Sequence, residues 1–135
     1  MISTGTRRLG VGIDLVQVSR VAESLARFGE RFLRRVFTDG EIAYAQAAPA
    51  HTAERLAARL AAKEAALKAL DLGERGVGWR QIEVAREPSG APRLSLHGAA
   101  RAAAEEAGVE DVALSLSHEG DFATAVVMTT RRVSA

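Results

Sequence analysis

Between residues 52 and 70 nothing breaks a helix, and alanine and leucine, both strong helix formers, fill most positions. A helix of that length in a short chain constrains the plan of the whole domain, because the other elements must pack around it. At about 100° per residue, Leu56, Leu60, Leu67 and Leu70 collect on one stripe with Lys63 inside it. Glu64 and Lys68, one turn apart, border the stripe, and Arg59 lies beside Leu70. The other side carries only Ala58, Ala62, Ala65, Ala66 and Ala69. An ordinary surface helix sets charge opposite its apolar face. This one offers alanine there, suited to close packing, and puts charge at the edge of the leucines. Charges held against a core need a partner or a ligand. Two readings are open at this point: a snorkelling lysine with one Glu–Lys pair at i,i+4, or a binding site.

The chain has 135 residues, which predicts one domain over 1–135 with frayed ends at about 1–7 and 131–135. No apolar run reaches the ~18–20 residues of a membrane span, and residues 1–9 lack the apolar core of a signal peptide. The expectation is a cytoplasmic protein that does not engage a membrane. Cysteine is absent, so neither a disulfide framework nor a thiolate site is available. A net charge of +1 gives no global attraction to nucleic acid, and aromatic residues at 4% argue against base stacking. Attraction to an acidic partner has to come from a local patch.

Along the chain, residues 9–14 alternate apolar side chains with Gly10 and Gly12, a short strand whose other face must accept a close neighbour. Asp14 is expected to end that strand, either capping the next helix or ligating a metal. Leu15, Val18, Val21, Ala22, Leu25 and Phe28 then follow helical spacing, with Gly29 as the stop. Arg20 and Arg27 share one face of that helix and Arg31 follows, either a solvated face or a docking strip for an acidic protein. Thr38 and Glu41 have capping-box spacing and open a further helix. Residues 71–79 form a glycine-containing loop without a phosphate-binding fingerprint. Strands over 81–86 and 93–97 flank a turn at 88–92; a helix over 99–107 follows, then strands over 111–118 and 122–130. This order predicts an α+β fold, a largely antiparallel sheet packed on a long central helix.

The groups able to carry chemistry are Asp14, Glu64, Lys68 and His118. Two carboxylates without histidine or cysteine partners suit a hard cation such as Mg²⁺, which fills its shell with phosphate oxygens and water. A nearby lysine and histidine would complete a phosphoryl-transfer site, where catalysis is mostly positioning and charge stabilisation. Spacing alone only suggests this, and a histidine such as His118 is by itself more often a strand-end residue with an ordinary hydrogen bond.

Three blocks carry a family resemblance: residues 11–16 (VGIDLV) with Arg20 following, residues 59–65 (RLAAKEA) with Lys68 and Ala69 following, and residues 114–118 (LSLSH). Together with the Gly90-Ala91-Pro92 turn they resemble the small, holo-acyl-carrier-protein synthase class of 4′-phosphopantetheinyl transferases, from Gly10 to about Met128. The resemblance implies that fold, and transfer of phosphopantetheine from coenzyme A to a serine of apo-acyl carrier protein, releasing adenosine 3′,5′-bisphosphate. It implies that Asp14 and Glu64 ligate Mg²⁺, that Lys68 stabilises phosphate charge, and that Arg59 and His118 hold phosphates of coenzyme A. Glu64 would also orient or deprotonate the serine, directly or through water. Arg20, with Arg27 and Arg31 as weaker candidates, would dock the carrier, whether of fatty-acid biosynthesis or of a secondary pathway. The family further implies a homotrimer with sites between protomers, and the alanine face of the central helix and the apolar sheet are compatible with burial at those contacts.

Departures from the family pattern are Leu60 in place of phenylalanine and an acidic loop at 71–76 in place of Gly-Thr-Gly. Lys63 keeps two uses, contact with substrate or pairing with a buried carboxylate. A non-catalytic relative that binds carrier or coenzyme A is the alternative, disfavoured by retention of Asp14, Glu64 and Lys68 together. An unrelated metal-dependent phosphatase or nuclease would need a more acidic cluster.

Overall fold

The computed structural model describes residues 7–73 and 75–133. Strand β1 (Arg7–Gln17) leads into α1 (Val18–Phe28), α2 (Glu30–Val36), α3 (Asp39–Gln46) and the long α4 (Thr52–Ala69). Then come the hairpin β2 (Ile82–Arg86) and β3 (Pro92–Leu96), α5 (Gly98–Glu106), and the hairpin β4 (Val109–Glu119) and β5 (Phe122–Arg132). Both sheets are antiparallel: β1-β5-β4 makes one and β2-β3 the other. The α+β expectation and the order of elements hold.

Several boundaries move. Asp14 does not end β1, because β1 pairs with β5 along its whole length, from Arg7↔Arg132 to Gln17↔Phe122. Arg131 and Arg132, expected in a polar tail, therefore belong to β5, and Arg7 belongs to β1. Asp14 does not cap α1 either. That helix begins three residues later than its apolar spacing suggested, and its first turn is held by Asp121 from the β4–β5 turn. Ser19 donates its backbone N–H to Asp121 Oδ1 (2.9 Å) and its hydroxyl to Oδ2 (2.6 Å). The predicted fraying of residues 1–6 and 134–135 lies outside the described residues.

The alanine side of α4 serves close packing inside the chain: Ala57, Ala61, Ala62, Ala65 and Ala66 are fully buried there. Two glycines on β1 make this possible. A Cβ on Gly12 would sit 2.0 Å from the Ala65 carbonyl oxygen, and one on Gly10 2.5 Å from that of Ala69. Glycine on the strand and alanine on the helix let the two backbones touch, and that contact sets the height of α4 over the sheet. The leucine side of α4 is covered too. Leu56 and Leu70 are buried beneath the other helices and the β2–β3 layer, so the helix is enclosed almost all round.

Lys63 resolves with it. Its Nζ is fully buried and spends three donors inside the chain, on Glu41 Oε1 (2.7 Å), Trp79 O (3.1 Å) and Ile82 O (2.5 Å). Glu41, also the return arm of the capping box on Thr38, accepts from Thr38 N (2.9 Å) and Val84 N (2.9 Å). Burial pulls the Lys63 ammonium below its ordinary pKa, and Glu41 opposes that pull. Of its two uses, pairing with a buried carboxylate is the one realised.

Candidate active site

Side chains alternate along β1, so Gly10, Gly12, Asp14 and Val16 face α4 while Leu9, Val11, Ile13 and Leu15 face away. Where the glycines end, Asp14 is the next side chain on the face of β1 toward α4. Lys68 of α4 reaches it, donating to Asp14 Oδ1 (3.3 Å) and to the Ile13 carbonyl (2.9 Å). Glu64, one turn earlier on α4, lies close enough to feel both charges. Burial raises its carboxyl above the ordinary value, the Asp14 charge raises it further, and Lys68 only partly offsets them. No ion pair engages Glu64 among the described residues. Asp14, Glu64 and Lys68 are thus brought together, as the sequence suggested.

Arg59 and His118 are elsewhere. Arg59 is nine residues from Lys68, which on a helix is half a turn away in azimuth and about 13 Å along the axis. With His118 it lines a cavity of about 510 Å³ shared by Tyr44, His51, Glu54, Arg55, Arg86 and Pro92. Arg59 is only 4% exposed; its Nη1 donates to the Arg55 carbonyl (3.3 Å) and its Nε has no partner. Burial lowers its pKa, and Arg86 and Arg55 push the same way. The guanidinium carbons of Arg55, Arg59 and Arg86 lie 4.1, 4.2 and 4.4 Å from the centre of the Tyr44 ring. His118 Nδ1 is 3.6 Å from Glu54. Two half-sites therefore flank one helix, a carboxylate–lysine set on the β1 side and a cationic cavity on the other.

Tyr44, Arg55 and Arg86 had not been singled out from sequence. Arg55 could have been, since it sits four residues before Arg59 on the same helical face. Arg86 arrives from the β2–β3 hairpin and carries no local signal.

Arg20 and Arg31 are exposed and border two adjoining depressions of about 390 and 340 Å³ that share Ser24 and Phe32. Arg35, missed in the sequence, lines the second. Arg27 stacks on Phe28 at 5.2 Å, while neighbouring Arg34 is paired with Glu30 (3.0 Å). In the loop that departs from the family pattern, Asp71 is exposed with a positive φ of 55°, and Glu74 lies outside the described residues.

Comparison with known proteins bears on the fold and the family. Residues 10–127 match the model of the 4′-phosphopantetheinyl transferase superfamily. A holo-[acyl-carrier-protein] synthase of Koribacter versatilis is 50% identical over 121 residues, covering 89% of this chain and 96% of that protein. Among solved structures, the Neisseria meningitidis holo-[acyl-carrier-protein] synthase superposes with a TM-score of 0.81 at 35% identity, covering 89% of this chain and 96% of that one. The Chronobacterium ammoniagenes ACPS–CoA complex gives a TM-score of 0.80 at 36% identity, covering 95% and 99%. With the family model matched over residues 10–127 and relatives of up to 50% identity covered almost end to end, the chain belongs to the 4′-phosphopantetheinyl transferase superfamily.

Proposed function

We propose that the chain is a holo-acyl-carrier-protein synthase that transfers 4′-phosphopantetheine from coenzyme A to a serine of apo-acyl carrier protein. The observation that carries this reading is the convergence of Asp14, Glu64 and Lys68 across the β1–α4 contact. The serine oxygen attacks the phosphorus bearing the pantetheine arm; the bond from that phosphorus to the bridging oxygen breaks, and adenosine 3′,5′-bisphosphate leaves. Lys68, 55% exposed and beside Asp14, places its ammonium where charge builds on the leaving phosphate. Glu64 would receive the serine proton directly or through a water.

The donor set fits magnesium: two carboxylate oxygens, no imidazole or thiolate, and mutual repulsion that a divalent cation relieves. Asp14 and Glu64 would hold the ion, which would supply neutralisation of charge on the diphosphate. Arg59 and His118 hold phosphates of coenzyme A in the cavity on the other side of α4.

That separation favours sites shared between subunits. Leu9, Val11, Ile13 and Leu15 are 61–70% exposed and, with Met128, form an apolar outer sheet face. Such a stripe is unusual on a monomer. A homotrimer that covers it and sets one protomer's Asp14 against another's Arg59 accounts for both features, and a monomer in sedimentation at assay concentrations would refute it. Arg20, Arg31 and Arg35 around Phe28 and Phe32, with Arg27 alongside, suit an acidic helix presenting apolar residues, the chemistry of a carrier docking surface. No helix among the described residues is long and apolar enough to cross a membrane, and on this reading the enzyme works in the cytoplasm.

The direct test is intact-mass analysis of several apo-carrier proteins, from fatty-acid and secondary pathways, incubated with the protein, coenzyme A and Mg²⁺. A gain of one phosphopantetheinyl unit is expected on at least one; no gain on any refutes the assignment.

A further inference from the structure

Helix α3 and strand β2 are joined by two rungs. Glu41 and Tyr44, three residues apart, share one face of α3. Val84 and Arg86, two apart, share one face of β2. Val84 N donates to Glu41 Oε2 (2.9 Å), and Arg86 Nη1 donates to the Tyr44 hydroxyl. Lys63 ties the first rung to α4 through Glu41 and the Ile82 carbonyl. The turn beyond β2 is shaped to the same end. Gly90 has φ +91°, and a Cβ there would lie 3.2 Å from Arg86 Nη2. The outcome is that Arg86 closes a ring of three guanidiniums around one phenol.

A surface arginine resting on a tyrosine needs no function. What sets this one apart is charge. Among the described residues no carboxylate lies within 4 Å of Arg55, Arg59 or Arg86, so three cations converge uncompensated. One of them is buried and has an orphaned Nε. The cavity's one carboxylate, Glu54, faces His51 (3.9 Å) and His118 (3.6 Å) instead. Like charges held together at the mouth of a cavity repel one another, and an anion bound between them relieves that repulsion. Arg86 is exposed and spends one of its five donors within the chain.

Building on the reading that the cavity takes coenzyme A, we propose that Arg86 is a further binding residue for a phosphate of that ligand and that the Tyr44 hydroxyl is its positioning group. Arg86 supplies the third charge and a planar donor fork, and Tyr44 holds that fork over the cavity.

Calorimetric titration of coenzyme A into wild type, Arg86→Met, Tyr44→Phe and the double variant tests this without relying on turnover. Arg86→Met is expected to raise Kd about tenfold and Tyr44→Phe about threefold. The double variant should be no weaker than Arg86→Met alone, because Tyr44 acts through Arg86. The apparent KM for the carrier should stay within about twofold. Tyr44→Phe keeps the ring under Arg55 and Arg59, so its fold is retained. Unchanged affinity in Arg86→Met, effects that multiply in the double variant, or wild type that binds no coenzyme A overturns the inference. Wild type that binds coenzyme A but transfers nothing overturns only the enzyme assignment.

Discussion

Replacing Lys63 with methionine tests the pair buried at the centre of the fold. The ammonium is fully buried and Glu41 is 1% exposed, so the substitution strands a carboxylate that keeps only the N–H groups of Thr38 and Val84. Breaking a buried pair from one side costs about 3–5 kcal/mol, and those two remaining donors favour the lower end, about 3 kcal/mol. Two carbonyls, Trp79 O and Ile82 O, lose a donor as well. For 135 residues the unfolding entropy is about 0.28 kcal/mol per kelvin. A loss of 3 kcal/mol therefore lowers Tm by about 11 °C. The assay is thermal unfolding followed by circular dichroism at one fixed protomer concentration, because subunit association also contributes to Tm. Glu41→Met and the double variant complete a cycle. The double variant should cost less than the two single losses added, by at least about 2 kcal/mol. Additivity within about 0.5 kcal/mol would show that the lysine and glutamate do not depend on each other. So would a Tm loss in Lys63→Met of only a degree or two.

Other substitutions probe other parts of the machinery. Asp14→Asn and Glu64→Gln should abolish transfer while circular dichroism stays that of wild type, and wild-type rates in either would refute the metal assignment. Arg20→Glu should raise the apparent KM for the carrier with less effect on that for coenzyme A; equal effects argue against docking. Gly12→Ala brings a methyl 2.0 Å from a backbone oxygen of α4, so the helix must lift. Overpacking of this kind costs about 1–3 kcal/mol, and transfer should fall with it as Glu64 moves from Asp14; wild-type Tm and turnover would refute the close contact. Asp121 has its pKa held below the ordinary 3.8, first by the Ser19 hydroxyl. A depressed carboxyl stabilises the fold above its unfolded pKa and loses that contribution as pH falls through the folded value. Asp121→Asn should thus melt below wild type at pH 7, and the two curves should converge as pH drops below about 3.8. A gap that does not narrow at all as pH falls below about 3.8 would refute the linkage.

How much of this was legible in the sequence depends on how far apart the interacting residues lie along the chain. Gly10 and Gly12 announced a close neighbour, and Ala58, Ala62, Ala65, Ala66 and Ala69 announced a face suited to close packing. The two observations needed only to be joined. Read separately, the alanines were suited to close packing and remained compatible with burial at a subunit contact. Distance to the sheet decides: with no Cβ on the strand, the small side must turn inward. The same wheel already held the division of the site. Arg59 and Glu64, five residues apart, differ by about 140° in azimuth, so one ligand reaching both from a single protomer has to wrap the helix. A shared site between protomers removes that requirement. The unresolved lysine at 63 needed Glu41 and Ile82, which are 22 and 19 residues away. Arg86 needed Tyr44 across 42. No period or spacing rule spans such separations, since they are set by how α3 and the β2–β3 hairpin close over α4. Signature residues that read alike on the helix therefore divide by environment. Lys68 keeps a half-exposed ammonium beside Asp14, while Lys63, five positions earlier, spends three donors inside the chain. Of the two, only Lys68 has a charge left to offer a substrate.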